Sequence, residues 1–215
     1  MDKYINQIIN ADCLDILKEL PDKCIDLVLT DPPYGIGRFG NRVEISNRID
    51  CTAKINKWDK KPNQELFNEI FRVSKNQIIF GANNFTLPES EYFLVWNKMQ
   101  TVDNFASAEL AYTNMKIPAK VFNYSIHQVM QDRKKQGGKS HPTEKPVKLM
   151  EWCILLADKF IDKNGIILDC FSGSGTTAIA CHNLKRRFIC IEKDKDYYKA
   201  SVERLKDAQS QLKLF

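Results

Sequence analysis

Residues 165–186 read GIILDCFSGSGTTAIACHNLKR: a short apolar run, a Gly-x-Gly turn, then a helical pattern. Ile166–Cys170 has the near-continuous apolar character of a strand buried on both faces. Thr176–Leu184 continues as a helix. Glycines at such a junction let backbone N–H groups approach a ligand at the helix N-terminus, where the helix dipole favours negative charge. Gly173-x-Gly175-x-x-Ala178 also fits the dinucleotide fingerprint, and Glu192, at the end of the next strand, stands where a ribose-binding carboxylate belongs. No lysine follows the glycines, which excludes a P-loop. The stretch points to a nucleoside-bearing cofactor and leaves NAD and S-adenosylmethionine both open. A purely structural tight turn is the simpler alternative.

The same alternation extends over the chain. Apolar runs at Ile5–Ile9, Ile25–Thr30, Gln77–Gly81, Tyr92–Trp96, Glu109–Thr113, Val121–Ser125 and Phe188–Ile191 read as further strands. Ala11–Leu20, Asn63–Val73, Val147–Phe160 and Asp196–Leu212 read as helices. Strands alternating with helices predict an α/β sheet covered on both sides. Only short turns separate the strands between 92 and 125, so antiparallel pairs are expected at that end. With 215 residues, 43% hydrophobic and 27% charged, the chain fits a single domain over 1–215. No apolar run reaches the roughly 18–20 residues of a membrane span. The N-terminal residues lack the basic-then-apolar order of a signal peptide, and a cytoplasmic protein is expected. The seven cysteines are odd in number, contain no CxxC and have no zinc-finger spacing. They read as reduced, mostly buried thiols, and no metal site is expected.

The net charge of +5 is unevenly distributed. Residues 35–61 carry Arg38, Arg42, Arg48, Lys54, Lys57, Lys60 and Lys61 against Glu44, Asp50 and Asp59. Residues 115–145 carry Lys116, Lys120, Arg133, Lys134, Lys135, Lys139 and Lys145 against Asp132 and Glu144. The remainder is slightly acidic. Both basic segments contain glycines and read as mobile loops. A polyanion laid across one face accounts for the pattern through counterion release, and so do solvated lysine-rich loops.

Ile25–Thr30 ends in Asp31-Pro32-Pro33-Tyr34. Two prolines cannot donate ladder hydrogen bonds, so the strand stops there. A carboxylate, an outward carbonyl and an aromatic ring are left at the C-terminal edge of the sheet, where ligands of open α/β sheets collect. An amino group on an aromatic ring is a poor nucleophile because its lone pair is delocalised. The Asp31 carboxylate and the Pro32 carbonyl can accept its two N–H bonds and draw the nitrogen toward tetrahedral geometry. Tyr34 can stack on the ring, an interaction of ~1–3 kcal/mol for a nucleobase. A strand-ending Asx turn is the structural alternative.

Taken together, these residues resemble the β class of amino-group DNA methyltransferases, in which the order of the methyltransferase motifs is permuted. The resemblance runs from Asn10-Ala11-Asp12-Cys13-Leu14 through Asp31-Pro32-Pro33-Tyr34, Val95-Trp96-Asn97-Lys98 and Glu109-Leu110-Ala111-Tyr112. It continues through His141-Pro142-Thr143-Glu144-Lys145-Pro146 and the Leu168–Thr177 stretch to Arg186-Arg187-Phe188 and Glu192. It implies a doubly wound, mostly parallel seven-stranded sheet, Rossmann-like, with one reversed edge strand. It also implies S-adenosyl-L-methionine as methyl donor and a base flipped out of duplex DNA. Asp31, Pro32, Pro33 and Tyr34 then hold the target amino group and base. Asp169, Phe171, Gly173, Ser174, Gly175, Thr176 and Thr177, with Thr143 and Lys145, line the methionine side of the cofactor. Glu192 receives the ribose hydroxyls, and Asp12 and Cys13 edge the adenine. Asp rather than Ser before Pro-Pro-Tyr is, by resemblance, the adenine-N6 form, with cytosine-N4 as the alternative.

Two residues depart from the family pattern. Glu144 stands where Gln is usual and is assigned no contact; Cys170 stands where Pro is usual. Target recognition is expected from the short insert 114–140, with Gln128, Gln131, Arg133 and Gln136 as base readers and Lys134, Lys135 and Lys139 as phosphate contacts. Residues 35–61 are expected near the target base, with Phe39 and Trp58 as their large rings. So short an insert predicts a short recognition sequence or help from a second subunit, and the family often forms homodimers. RNA or a protein amide as substrate stays open on the motif alone. A C5-cytosine mechanism is excluded because no cysteine follows a proline.

Overall fold

The computed structural model describes residues 1–35, 59–101, 103, 106–135 and 144–210. Thr143, Phe39, Trp58, Gln136 and Lys139 lie outside them, as do the side chains of Arg133, Lys134 and Lys135. Along the chain run β1 (Gln7–Asn10), α1 (Cys13–Glu19), β2 (Ile25–Thr30), α2 (Gln64–Val73) and β3 (Ser74–Phe80). β4 (Phe93–Asn97), β5 (Ala108–Thr113), β6 (Lys120–Asn123) and α3 (Ile126–Lys135) follow. The described chain closes with α4 (Val147–Ala157), β7 (Ile166–Asp169), α5 (Thr176–Asn183), β8 (Arg187–Glu192) and α6 (Lys195–Ser210).

All the strands join one sheet in the order β1-β8-β7-β2-β3-β5-β4-β6. β2 lies at its centre, parallel to β7 (Val28 opposite Leu168) and to β3 (Leu29 opposite Ile78). Its side chains, apart from Asp26, are buried on both faces, which is why it reads as a nearly continuous apolar run. On one face Leu27, Leu29, Ile78 and Phe80 pack with Leu149, Cys153 and Ile154 of α4 and Ala178 and Cys181 of α5. On the other, Val28, Ile79, Leu168 and Ile189 pack with Ile16 and Leu17 of α1 and Phe67 and Ile70 of α2. Helices on both faces of a mostly parallel sheet make the doubly wound α/β fold that the alternation predicts. No described helix is long and apolar enough to cross a membrane.

Three details differ from expectation. Among the described residues the sheet has eight strands, one for each apolar run, not the seven that the resemblance implies. The reversed strand is β5, and it is not at the edge: it runs antiparallel to both β3 and β4, while β6 continues beyond β4 in parallel register. After the β4–β5 reversal, the six residues 114–119 carry the chain past β4 to its open side. There Val121 pairs with Val95, and the buried Trp96 indole N–H donates to the Tyr124 carbonyl at 2.9 Å. The third difference is α3, inside the segment expected to be a loop. Ser125 and Gln128 form a capping box at its start: the Gln128 N–H donates to Ser125 Oγ at 3.2 Å, and the Ser125 N–H to Gln128 Oε1 at 2.9 Å. Buried Val129 and the Tyr124–Asp132 hydrogen bond fix the helix to the sheet.

Candidate active site

A cavity of about 850 Å³ opens at the C-terminal ends of β1, β2, β7 and β8. The turn after β7 forms one wall. Gly173 and Gly175 take left-handed conformations (φ 52° and 78°), so the chain can double back onto α5 without a Cβ clash. Glu192, at the end of β8, closes this turn: Oε2 accepts the Gly173 N–H at 2.8 Å, and Oε1 accepts the Asp194 N–H at 2.8 Å. Burial pushes its carboxyl up. Asp169 is the internal brace. It accepts from the Thr30 hydroxyl (2.8 Å), the Phe171 N–H (3.0 Å) and the Thr177 hydroxyl (2.6 Å). Burial nevertheless raises its carboxyl to about 6. Across the cavity Asp12 caps α1 through the Leu14 N–H at 3.0 Å and pairs with Lys193 at 2.7 Å. The Lys193 contact holds its carboxyl below the ordinary range.

Asp31 forms the floor between this wall and β5. Its Oδ1 accepts the Tyr34 hydroxyl at 2.7 Å, and its Oδ2 is paired with the Lys145 ammonium. Lys145 also reaches Glu109 of the reversed strand at 3.0 Å, and the other Glu109 oxygen pairs with Lys98 at 2.5 Å. Burial pushes the Asp31 carboxyl up, with Lys145 opposing it and the Glu109 charge adding to it. Glu109 is held down to about 2: burial works against its ionisation, but Lys145 and Lys98 outweigh that. The Tyr34 ring packs on Gly81, where φ is 70° and an added Cβ would lie 2.1 Å from the ring.

A glycine turn on one wall and a strand-ending acid on the floor open into one cavity. Residues 65–203 match the N6_N4_Mtase family, described as DNA methylase. The chain belongs to this DNA methylase family. Among relatives, the type II methyltransferase M2.MboI of Moraxella bovis is 29% identical over 257 residues, covering 99% of this chain and 91% of its own. The type II methyltransferase M.HinfI of Haemophilus influenzae is 25% identical, over 95% of this chain and 69% of its own. Solved structures share the fold. They include an M1.HpyAVI–SAM complex (TM-score 0.58, 23% identity, 92% of this chain and 98% of that one). The PvuII DNA methyltransferase, cytosine-N4-specific, matches with TM-score 0.60 and 16% identity over 94% of this chain and 89% of its own.

In this DNA methylase the cavity is lined by Asp12, Cys13, Asp31, Pro33, Lys145, Asp169, Phe171, Gly173, Ser174, Thr176, Thr177 and Glu192. Pro32, Tyr34 and Gly175 stand just behind the lining: Pro32 is buried, Tyr34 faces Gly81, and Gly175 packs against Ser201 of α6. Lys145 is placed differently from the reading that assigns it to the cofactor alone, since its ammonium is engaged by Asp31 and Glu109. Glu144, assigned no contact from sequence, lines the cavity and pairs with Arg204 of α6. Arg204 also donates to the carbonyl and hydroxyl of Ser174, both at 3.1 Å. The unusual acid is thereby neutralised and tied to the glycine turn. Arg204 carries no sequence signal of its own, whereas Lys98 and Glu109 lie in stretches that carry the family resemblance but receive no role from it. Only the acid at 144 hints that a cation has to be near.

Proposed function

We propose that this enzyme transfers a methyl group from S-adenosyl-L-methionine to the N6 amino group of an adenine flipped out of duplex DNA. The observation that carries this reading is the position of Asp31. Its carboxylate, oriented by Tyr34, shares one cavity with the glycine turn and Glu192. The residues present suit the cofactor. Glu192 at the cavity rim matches ribose hydroxyls, Asp12 and Cys13 match an adenine edge, and the Ser174 and Thr176 hydroxyls at the start of α5 match a carboxylate. When bound, S-adenosyl-L-methionine supplies an electrophilic methyl on a sulfonium, which leaves as a neutral thioether.

The chain's own residues do the rest. Asp31 accepts one amino N–H and the Pro32 carbonyl the other, which localises the lone pair on the exocyclic nitrogen. That pair forms the N–C bond, the C–S bond breaks onto sulfur, and Asp31 receives the surplus proton from nitrogen. Burial suits Asp31 to this last step, because a raised carboxyl is the stronger base. The acceptor segment precedes the glycine turn along the chain, as in the β class. Basic residues 35–61 and 114–140 are assigned to the DNA, with the second as recognition insert. A homodimer and a cytoplasmic location in a restriction-modification setting fit the same reading.

Methyl transfer from labelled cofactor to mixed-sequence duplex DNA, followed by digestion to nucleosides, tests it. Label is expected in N6-methyladenine. A second reading, cytosine-N4, is favoured by the fold shared with the cytosine-N4-specific PvuII enzyme, and label in N4-methylcytosine would select it. Absence of label from both bases, in protein shown to bind the cofactor, would overturn the proposal.

A further inference from the structure

The Lys145 ammonium sits between two carboxylates that come from different parts of the sheet. Asp31 follows β2 and Glu109 belongs to β5, whereas Lys145 precedes α4. Its side chain is 5% exposed, and those of Asp31 and Glu109 are each 18% exposed. Bulk water screens these charges poorly, so each neighbour weighs heavily on the others. The sharing is unequal. Among the described residues, Glu109 has two ammonium partners, Lys98 and Lys145, while Asp31 has Lys145 alone, supplemented by the Tyr34 hydroxyl. Tyr34 in turn leans toward Glu109 at 3.4 Å, and the Lys145 ammonium also lies 3.5 Å from the Tyr34 oxygen. Asp169, from the end of β7, adds a further negative charge nearby. Two donors therefore fix the Asp31 carboxylate, one on each oxygen, and one of those donors is divided with a second acid.

We propose that Lys145 and Glu109 are positioning residues for Asp31: the shared ammonium keeps Asp31 anionic and oriented toward the cavity, and Glu109 limits how much of that ammonium Asp31 receives. This deepens the reading in which Asp31 accepts one of the amino hydrogens, and rests on it. An acid that must accept an amino hydrogen bond and then a proton has to begin ionised yet remain basic. Lys145 supplies the first property. Its division with Glu109, together with burial, preserves the second. Lys145 thereby belongs to the base side of the cavity, where its conversion to a neutral residue acts on the chemical step rather than on cofactor affinity.

The two neighbours act on Asp31 with opposite sign, and that is what an experiment can read. The Asp31 carboxyl carbon, assigned by its loss in Asp31→Asn, is titrated by carbon NMR in the wild type, Lys145→Met and Glu109→Gln. The Asp31 midpoint is expected to rise by about one pH unit in Lys145→Met and to fall in Glu109→Gln. The acid limb of kcat/KM for DNA is expected to move in the same two directions. Lys145→Met should lose about 100-fold in kcat, its cofactor Kd should stay within about 3-fold, and Lys145→Arg should recover most of the loss, where fold-changes below 3 count as unchanged. Should Lys145→Met not fold, Lys145→Gln takes its place in the titration. An unmoved Asp31 midpoint, or a weakened cofactor Kd with kcat intact, overturns the proposal. Wild-type protein that methylates no DNA would instead remove Asp31's catalytic role, and the carboxyl titration would still decide whether Lys145 and Glu109 govern its charge.

Discussion

Asp31, Asp169 and Gly81 show how much single positions carry. Asp31→Ala removes the acceptor but none of the groups around the glycine turn. Methyl transfer is expected to fall by at least about 100-fold while calorimetric cofactor binding stays near wild type. Normal turnover in that variant would exclude activation of an amino group by this carboxylate. Asp169 predicts a pH signature. Its folded carboxyl titrates near 6 against an ordinary 3.8, so the folded state binds the proton more tightly than the unfolded one. Stability therefore rises as pH falls from about 7 toward 4, by up to about 3 kcal/mol from this group. Urea titrations of wild type and Asp169→Asn across that window should show the difference between them changing with pH. Gly81→Ala would drive a methyl into the Tyr34 ring, and loss of activity with cofactor binding retained is expected. The Asp31 segment and the glycine turn are legible in sequence because each combines a backbone constraint with a chemical group. Lys145's double contact is not, since nothing local places Glu109 opposite Asp31.

At the scale of elements, every described strand and every described α-helix except α3 is legible from apolar runs and helical patterns, whereas the 3-10 turns Asp2–Tyr4 and Ala82–Asn84 are not. α3 is hidden for a physical reason: of residues 126–132, whose burial is described, Val129 alone is buried, and the charge of the segment resembles that of a loop. The one local signal is Ser125-x-x-Gln128. Ser125→Ala should cost about 1 kcal/mol, read as a lower denaturation midpoint with m unchanged. The position of β5 is likewise beyond local pattern, because strand direction depends on which distant partner is available. On the cofactor wall, α6 acts as a clamp through Arg204. Arg204→Met leaves the Glu144 acid without that cation, and a weaker cofactor Kd together with lower thermal stability is expected. An unchanged Kd would confine Arg204 to packing.

For the whole molecule, the fold class follows from alternation alone, whereas the order of strands reflects long-range pairing. β8 and β7 lie between β1 and β2, so residues 166–192 are inserted between two strands made at the start of the chain. Among the described residues β1 has no other strand neighbour, and β7 is the neighbour of β2 on one side. A fragment ending before β7 is expected to lack a cooperative unfolding transition, monitored by circular dichroism in urea.

That interleaving also sets a time order during synthesis. Asp31 leaves the ribosome before β7 and β8, and the cavity that it lines has no opposite wall until Glu192 has cleared the exit tunnel. Nascent and prematurely terminated chains therefore hold Asp31 without the glycine turn and Glu192 that face it. They expose the apolar edges of β1 and β2 to chaperones and proteases instead. Long-range closure of this kind makes folding slow relative to a helical protein of the same length. The cavity thus becomes complete only after β8 has been made and paired.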